Sequence, residues 1–247
     1  MNTLRRTALS ARRRRARRSF SIMPVTSFTE EETLIRDAAR TWGRQELLPK
    51  VRAMDNASQL DISILKGLFE QGFMGMEISH EFGGSEMNFT SAILVIEELS
   101  RIDPSVSILV DIQNTLTNNA IRFWGSHYLQ ETWLPKLATD TVSSFCLSEA
   151  GSGSDAFAMT TTAALQQDKT YVLNGTKLWI SNAQHAGVFL VFANTNPELG
   201  YKGITAFVVD AATPGITVSP PEDKLGLKAS STCPVIFDNV IVDVSSV

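Results

Sequence analysis

Cysteine is scarce in this chain. Only Cys146 and Cys233 occur in 247 residues, which excludes a disulfide framework, and no Cys/His spacing has the form of a zinc site. Histidine is as rare. His80, His127 and His185 lie far apart, and each reads as a surface or packing residue rather than a ligand or a base. No apolar run approaches the ~18 residues of a membrane span; the longest, Ala92–Ile96 and Val188–Ala193, are core-sized. Acidic residues are missing from residues 1–29, while eight arginines stand there. The other fourteen Lys and Arg face all 26 acids, so the body of the chain carries a net charge of −12. An acidic body disfavours nucleic acid as a partner, because phosphate neutralisation needs Lys and Arg.

What is present is an ordinary globular composition, 43% apolar and 19% charged, in a length that allows one large domain or two modest ones with cores. The acid-free, Arg-rich, Ser-bearing residues 1–27 have the composition of an organelle transit segment and lack the apolar stretch of a secretory signal. Mitochondrial import is the expectation, with cleavage around Phe20–Thr26. The alternatives are a nuclear-localisation cluster at Arg12–Arg18 and a solvated basic arm.

Beyond the tail the pattern divides in two. Thr29-Glu30-Glu31-Glu32 is a capping-box start, and apolar residues follow at helical spacing to about Met54, with a bend expected at Pro49. Further helices are expected over Ile62–Gln71, stopped by Gly72; Phe89–Ile102, ended by Asp103-Pro104; Ser105–Trp124; and His127–Ala138. Ser79–Met87, with Gly83-Gly84, reads as a loop. Residues 28–141 are therefore expected as an all-α domain.

From about Val142 the signal turns to strands. They are expected at Ser143–Ser148, Thr160–Gln166, Tyr171–Leu173, Lys177–Ile180, Val188–Asn194, Ile204–Asp210, Ile216–Ser219 and Val235–Val242. They are rich in Val, Ile, Phe and Thr and divided by Gly, Pro and Asn. Asn174-Gly175 between two of them has the form of a type I′ hairpin. Residues 142–247 are expected as a compact barrel or sandwich.

Three constellations have the residue types of a ligand site. In Phe145-Cys146-Leu147-Ser148-Glu149-Ala150-Gly151-Ser152-Gly153-Ser154-Asp155 a strand runs into a loop of small residues, which lets backbone N–H groups approach a ligand; a plain strand-to-turn connection has the same look. It is neither a Walker loop nor a dinucleotide fingerprint. In Lys177-Leu178-Trp179-Ile180-Ser181-Asn182 the indole can stack on a flat cofactor beside a hydroxyl; taken alone, a core tryptophan followed by a turn serine explains it more simply. In Gly200-Tyr201-Lys202-Gly203 the tyrosine either meets a polar ligand or decorates a turn. No G-x-S-x-G elbow or placed histidine supports a nucleophilic triad.

In this order and spacing the three constellations resemble the acyl-CoA dehydrogenases. Residues 145–155 are similar to that family's F/Y-C-x-[ST]-E-x-x-x-G-S-D flavin loop, and Trp179-Ile180-Ser181 to its Trp-Ile-[ST] element. Glu81-Phe82-Gly83-Gly84 and Ile96-Glu97-Glu98-Leu99 resemble its helical signatures. Asp111–Leu116, Ser148–Gly151 and Lys224–Pro234 look most like the short/branched-chain members. The resemblance covers residues 28–243 and implies an α+β multidomain fold, an N-terminal all-α domain followed by a β-barrel-like middle domain. It implies FAD lined by Phe145, Cys146, Leu147, Ser148, Gly153, Ser154, Trp179, Ile180 and Ser181. Ser148 would face the pyrimidine side, Trp179 would pack on the isoalloxazine, and Ser181 would hydrogen-bond near N5. Ser154 and Tyr201 would contact the CoA part of an acyl-CoA substrate.

The implied chemistry is α,β-dehydrogenation, with electrons leaving to an electron-transfer flavoprotein, in a homotetramer of the mitochondrial matrix. The family also implies a C-terminal helical bundle of ~150 residues, the size of one domain, that carries the catalytic Glu. The expectation is that this bundle is missing here, and that no residue of the chain serves as the base. Glu149 and Asp155 do not match that position. A non-catalytic FAD- or acyl-CoA-binding product, or one that interferes with assembly, is the alternative.

Overall fold

The computed structural model describes residues 27–247. Residues 1–26, which hold the expected cleavage region and all of the Arg-rich transit-like segment except Ser27, lie outside the described residues.

The first half is helical, and its entry is set by the cap. Thr29 Oγ1 accepts from Glu32 N at 3.1 Å while Thr29 N donates to Glu32 Oε2 at 2.8 Å, the reciprocal arrangement of a capping box. Glu32 Oε1 also accepts from Asn88 Nδ2 at 3.0 Å, and Asn88 is itself the cap of a later helix. Helix α1 spans Glu30–Trp42. The run continues through a π-helical turn at Gly43–Leu47 and a 3-10 turn at Leu48–Lys50, which absorbs Pro49, into α2 at Val51–Ala57. Then come α3 (Ile62–Glu70), α4 (Phe89–Ser100), α5 (Pro104–Asp111), α6 (Asn119–Trp124) and α7 (His127–Thr139).

Two boundaries differ from expectation. Asp103-Pro104 not only ends α4 but opens α5. Asp103 Oδ1 accepts from Ser105 N at 2.8 Å, and Pro104 takes the first helical position, where a missing N–H costs nothing. The long helix expected over Ser105–Trp124 is interrupted by a π-helical stretch at Ile112–Asn118.

The second half is a seven-stranded sheet. Its strands are β1 (Val142–Cys146), β2 (Thr162–Leu165), β3 (Thr170–Ser181), β4 (Ala186–Asn194), β5 (Ile204–Asp210), β6 (Ile216–Val218) and β7 (Thr232–Asp243). β4 lies between parallel β1 and antiparallel β5. β3 lies between β2 and β7, with β6 outside β7. A single bridge, Thr162 to Asn194, joins the two groups.

The Asn174-Gly175 hairpin is not formed. β3 runs straight through it as one strand of twelve residues. The ladder with β7 shifts register between Leu173 and Gly175. A Cβ at Gly175 would stand 2.3 Å from Thr161 Oγ1, so the glycine serves a close approach rather than a turn. The true reversal lies earlier. Gln166 N donates to Thr170 O at 2.8 Å, Lys169 takes a left-handed φ of 65°, and Asp168 Oδ1 accepts from Thr170 N and Oγ1.

Three cores result. One fills the helical half around Leu47, Leu68, Val95 and Leu99, with Trp42 edge-on to Phe73 at 5.7 Å. A second lies inside the sheet, around Phe189, Val191, Phe207 and Phe237. The third joins α6 and α7 to the sheet through Leu134, Leu137, Val188, Leu190 and Val208. β4 thus buries alternate residues on opposite faces, which explains its unbroken apolar run.

Candidate functional site

The site begins at the edge of β1. Among the described strands β1 pairs only with β4. On its other edge Ser143 N donates to Gln113 Oε1 at 2.7 Å, and Ser144 Oγ donates to the Ser181 carbonyl at 2.8 Å. Backbone groups repeat every two residues along a strand, so the peptide of Phe145 faces the same open edge as that of Ser143. The Phe145 ring tilts against Phe192 at 5.0 Å. It lines an open apolar groove of about 590 Å³ shared with Leu116, Phe123, Trp124 and Val208. Cys146 points the opposite way into the sheet core, fully buried. Burial raises its thiol pKa above the usual range, so it is a packing residue rather than a nucleophile.

The chain leaves β1 through Leu147 and Ser148, both half-buried, and turns tightly. Glu149 and Ser152 exchange both backbone hydrogen bonds, at 2.9 and 3.1 Å. Beyond the turn, Gly153, Ser154 and Asp155 are exposed. A Cβ added at Gly151 or Gly153 would meet nothing within 4 Å, so this side of the loop is open. Among the described residues no hydrogen bond uses the N–H of Gly153 or Ser154.

Against this loop stands the end of β3. Lys177 pairs with Val235 and Ile180 with Cys233, so two residues, Leu178 and Trp179, oppose the single residue Pro234. This is a β-bulge, a device that re-aims a side chain and recurs beside functional sites. Pro234 lacks an N–H, so the disrupted ladder wastes no donor there. Trp179 adopts φ 62°, a left-handed conformation that costs an ordinary residue roughly 1–2 kcal/mol, and the residue is 59% exposed. It is therefore not a core tryptophan. Leu178 N donates to Ser148 O at 2.8 Å, tying bulge to loop. Ile180 is buried in the sheet core.

Ser181 is half-buried. Asn182 follows at φ 66° and donates from Nδ2 to Leu109 O at 3.3 Å and Ser143 O at 3.2 Å. It holds this corner to α5 and β1 at once. Tyr201 comes from the segment before β5, and its ring lies 5.5 Å from that of Phe157, just beyond the loop; both rings are exposed. The structure thus brings residues 147–155, Trp179 and Ser181 together, and places Tyr201 beside the loop's outer limb. The hydroxyls of Ser148, Ser154, Ser181 and Tyr201 make no hydrogen bond among the described residues.

Glu149 is occupied internally. Burial pushes its carboxyl pKa up, but bonds from Lys177, Thr161 and Thr160 prevail and hold it at about 2. Lys177 Nζ lies 2.8 Å away and is wholly buried. A carboxylate so engaged is no free base. Of the histidines, His185 sits in the turn after Asn182, where burial lowers its pKa. No cluster of three or more His, Cys, Asp or Glu suits a metal among the described residues, and no described helix is long and apolar enough to cross a membrane.

Sequence reasoning placed Lys177 and Asn182 in the Trp179 constellation and Gln113 and Pro234 in family-like stretches, but gave none of the four a role. Lys177 had a legible signal, a charge at an inward position of an apolar strand. Gln113 and Asn182 had none, because their partners are far away in sequence.

The donor set fits a flat, polar-edged heterocycle with an anionic extension. An exposed indole offers a stacking face, an open strand edge offers alternating peptide donors and acceptors, and the Gly/Ser loop offers unpaired N–H groups.

Comparison with known proteins agrees with this geometry. Residues 29–141 match "Acyl-CoA dehydrogenase, N-terminal domain" and residues 144–240 match "Acyl-CoA dehydrogenase, middle domain". The chain is 52% identical over 221 residues to a probable short/branched chain specific acyl-CoA dehydrogenase of Dictyostelium discoideum, covering 90% of this chain and 54% of that protein. It is 49% identical to the mitochondrial short/branched chain specific acyl-CoA dehydrogenase of Bos taurus, covering 90% and 51%. The fold superposes with TM-score 0.82 and 31% identity on a glutaryl-CoA dehydrogenase from Mycobacterium smegmatis solved in complex with FADH2, covering 89% of this chain and 55% of that one. The chain spans about half the length of the relatives it matches.

Proposed function

The chain belongs to the acyl-CoA dehydrogenase family, and from that premise we propose that it forms the FAD-binding and part of the thioester-binding surface for α,β-dehydrogenation of a short or branched-chain acyl-CoA. The observation that carries this reading is the bulge that thrusts Trp179 out beside an open strand edge and a loop of free hydroxyls. When bound, FAD supplies the acceptor for the β-hydrogen, taken as hydride.

The chain's own residues bind and orient. Trp179 would pack against one face of the flavin ring system. The Phe145 peptide and the Leu147–Ser148 segment meet its polar edge, with Cys146 and Ile180 contributing backbone only, since their side chains are sealed in the sheet core. The Ser181 hydroxyl would hydrogen-bond near N5. Gly153 and Ser154 offer N–H groups to the anionic part, and Ser154 and Tyr201 to the CoA portion of the substrate. The apolar groove beside Phe145 suits an acyl chain, which needs burial rather than hydrogen bonds.

None of the described residues is assigned as the acceptor of the α-proton. Glu149 is locked to Lys177, and that favours a second reading in which this chain binds flavin and thioester without turnover. An electron-transfer flavoprotein as electron acceptor, a homotetrameric assembly and residence in the mitochondrial matrix belong to the same proposal. Their support is the family and the mitochondrial relative.

The test is spectroscopic. The full chain is purified in excess FAD and desalted, and its visible spectrum is recorded before and after addition of 2-methylbutyryl-CoA. A retained flavin spectrum supports the binding site, and its bleaching on thioester addition supports dehydrogenation. Retention without bleaching favours the second reading. Loss of all flavin on desalting counts against both.

A further inference from the structure

Lysine is almost never fully buried unless paired, yet Lys177 sits in the middle of β3 with no exposed surface. Its Nζ donates to Glu149 Oε1 at 2.8 Å and to the Leu147 carbonyl at 3.1 Å. The same carboxylate accepts from Thr161 N at 3.0 Å through Oε1, and from Thr160 N and Oγ1, both at 2.7 Å, through Oε2. Leu147 and Glu149 stand where the chain leaves β1. Thr160 and Thr161 stand where it enters β2. One ammonium and one carboxylate therefore clasp both ends of the excursion that carries Ser148, Gly153, Ser154 and Phe157. One residue past Lys177 the β3 ladder breaks into the Trp179 bulge, and there Leu178 N reaches Ser148 O at 2.8 Å.

A buried ion pair is a weak device for stability, because well-packed apolar side chains often serve as well. What an apolar pair lacks is direction. Here the ammonium and the carboxylate, besides holding each other, engage four backbone or side-chain groups, all of them on the stems of the loop. That is the use of buried charge in which register, rather than free energy, is gained.

We propose that Lys177 and Glu149 are the positioning pair of the flavin loop, setting where residues 148–154 stand relative to Trp179 while touching no reacting atom. The proposal rests on the flavin reading above. An unpaired partner should let the loop drift from β3, and the first bond to loosen is the one from Leu178 to Ser148.

The test compares the full chain with Lys177→Met, Glu149→Gln and the double variant. Three quantities are read: FAD affinity by titration, exchange of the Leu178 amide without FAD, and the thermal midpoint. Each single variant is expected to weaken FAD binding by about tenfold or more and to speed Leu178 exchange by a similar factor. The double variant, which leaves no charge unpaired, is expected to regain the thermal midpoint but neither FAD affinity nor Leu178 protection. Joint recovery of all three would mark a pair that acts only in stability and would overturn the proposal. Should the single variants fail to fold, the double variant carries the same comparison. Should the unaltered chain bind no FAD, the flavin reading falls alone. The Leu178 exchange rates without FAD then decide the pair, and protection unchanged in the double variant refutes it.

Discussion

In the helical half, Glu98 is buried on α4, but its partner Arg40 on α1 stays 35% exposed while donating two bonds of 2.9 and 2.8 Å. In the sheet half, Glu149 is buried to the same degree at 5% exposed, but its cation Lys177 has no exposed surface at all. The difference shows what each half asks of charge. At the rim between two packed helices, the apolar contacts of Leu99, Val95 and Ala39 already set the geometry, and the ion pair trims it with water completing its solvation. At the turn of the loop Gly151 and Gly153 bring no side chain to set direction. Buried polar bonds do that work instead.

The comparison is broken most directly by removing the cations. Lys177→Met should destabilise the chain by about 3–5 kcal/mol, the usual cost of stranding a buried charge. Arg40→Met should cost clearly less, because water and Arg101 can still reach Glu98. Chemical denaturation of both variants measures the gap, and equal losses would erase the distinction between the halves.

Acid sharpens it next. Both carboxylates lie below their ordinary pKa. For Glu98 the cause is first the Arg40 bond. For Glu149 burial pushes upward, yet the Lys177 and threonine bonds bring it from 4.5 to about 2. A depressed carboxyl contributes stability that is complete above its unfolded value and is lost as pH falls through its folded one. The Glu149 contribution, roughly 3 kcal/mol from a shift of this size, should therefore drain between about pH 4.5 and 2. Denaturation midpoints measured at pH 6, 4.5 and 3 should fall steeply for the unaltered chain. They should flatten in Glu149→Gln, which starts lower but has no such proton to gain. A profile unchanged by that substitution would count against the pair as the acid-sensitive element.

The smallest effect is expected at the helical entry. Thr29→Ala removes one half of the capping box and should cost about 1 kcal/mol, read as a small fall in thermal midpoint. A loss as large as that of Lys177→Met would mean that the link from Glu32 to Asn88 matters more than its half-exposed position suggests.

Much of this was readable in the chain. Thr29 and Glu32 announce the first helix, because a capping box is a local motif whose partners are three residues apart. The helix-to-strand switch near Val142 was legible for the same reason, since hydrophobic period is local. The Phe145–Asp155 and Trp179–Ser181 motifs pointed to the site by residue type and order. Asn174-Gly175 misled, because a glycine needed for φ > 0 and one needed for a close neighbour look identical until Thr161 is placed beside it.

Sequence alone thus determined the two-part architecture and which segments carry the ligand-type residues, for these rest on periodicity, capping and spacing along one chain, while the family entered as a resemblance of motifs that the matched domains then showed. Only the tertiary structure decided that Trp179 is exposed rather than core, that Glu149 is spent on Lys177, and that Gln113 and Asn182 hold the corner of the site. Those facts depend on contacts between residues up to 73 positions apart. A bulge, a buried charge and a long-range amide bond come into being only when the strands are paired and water is gone.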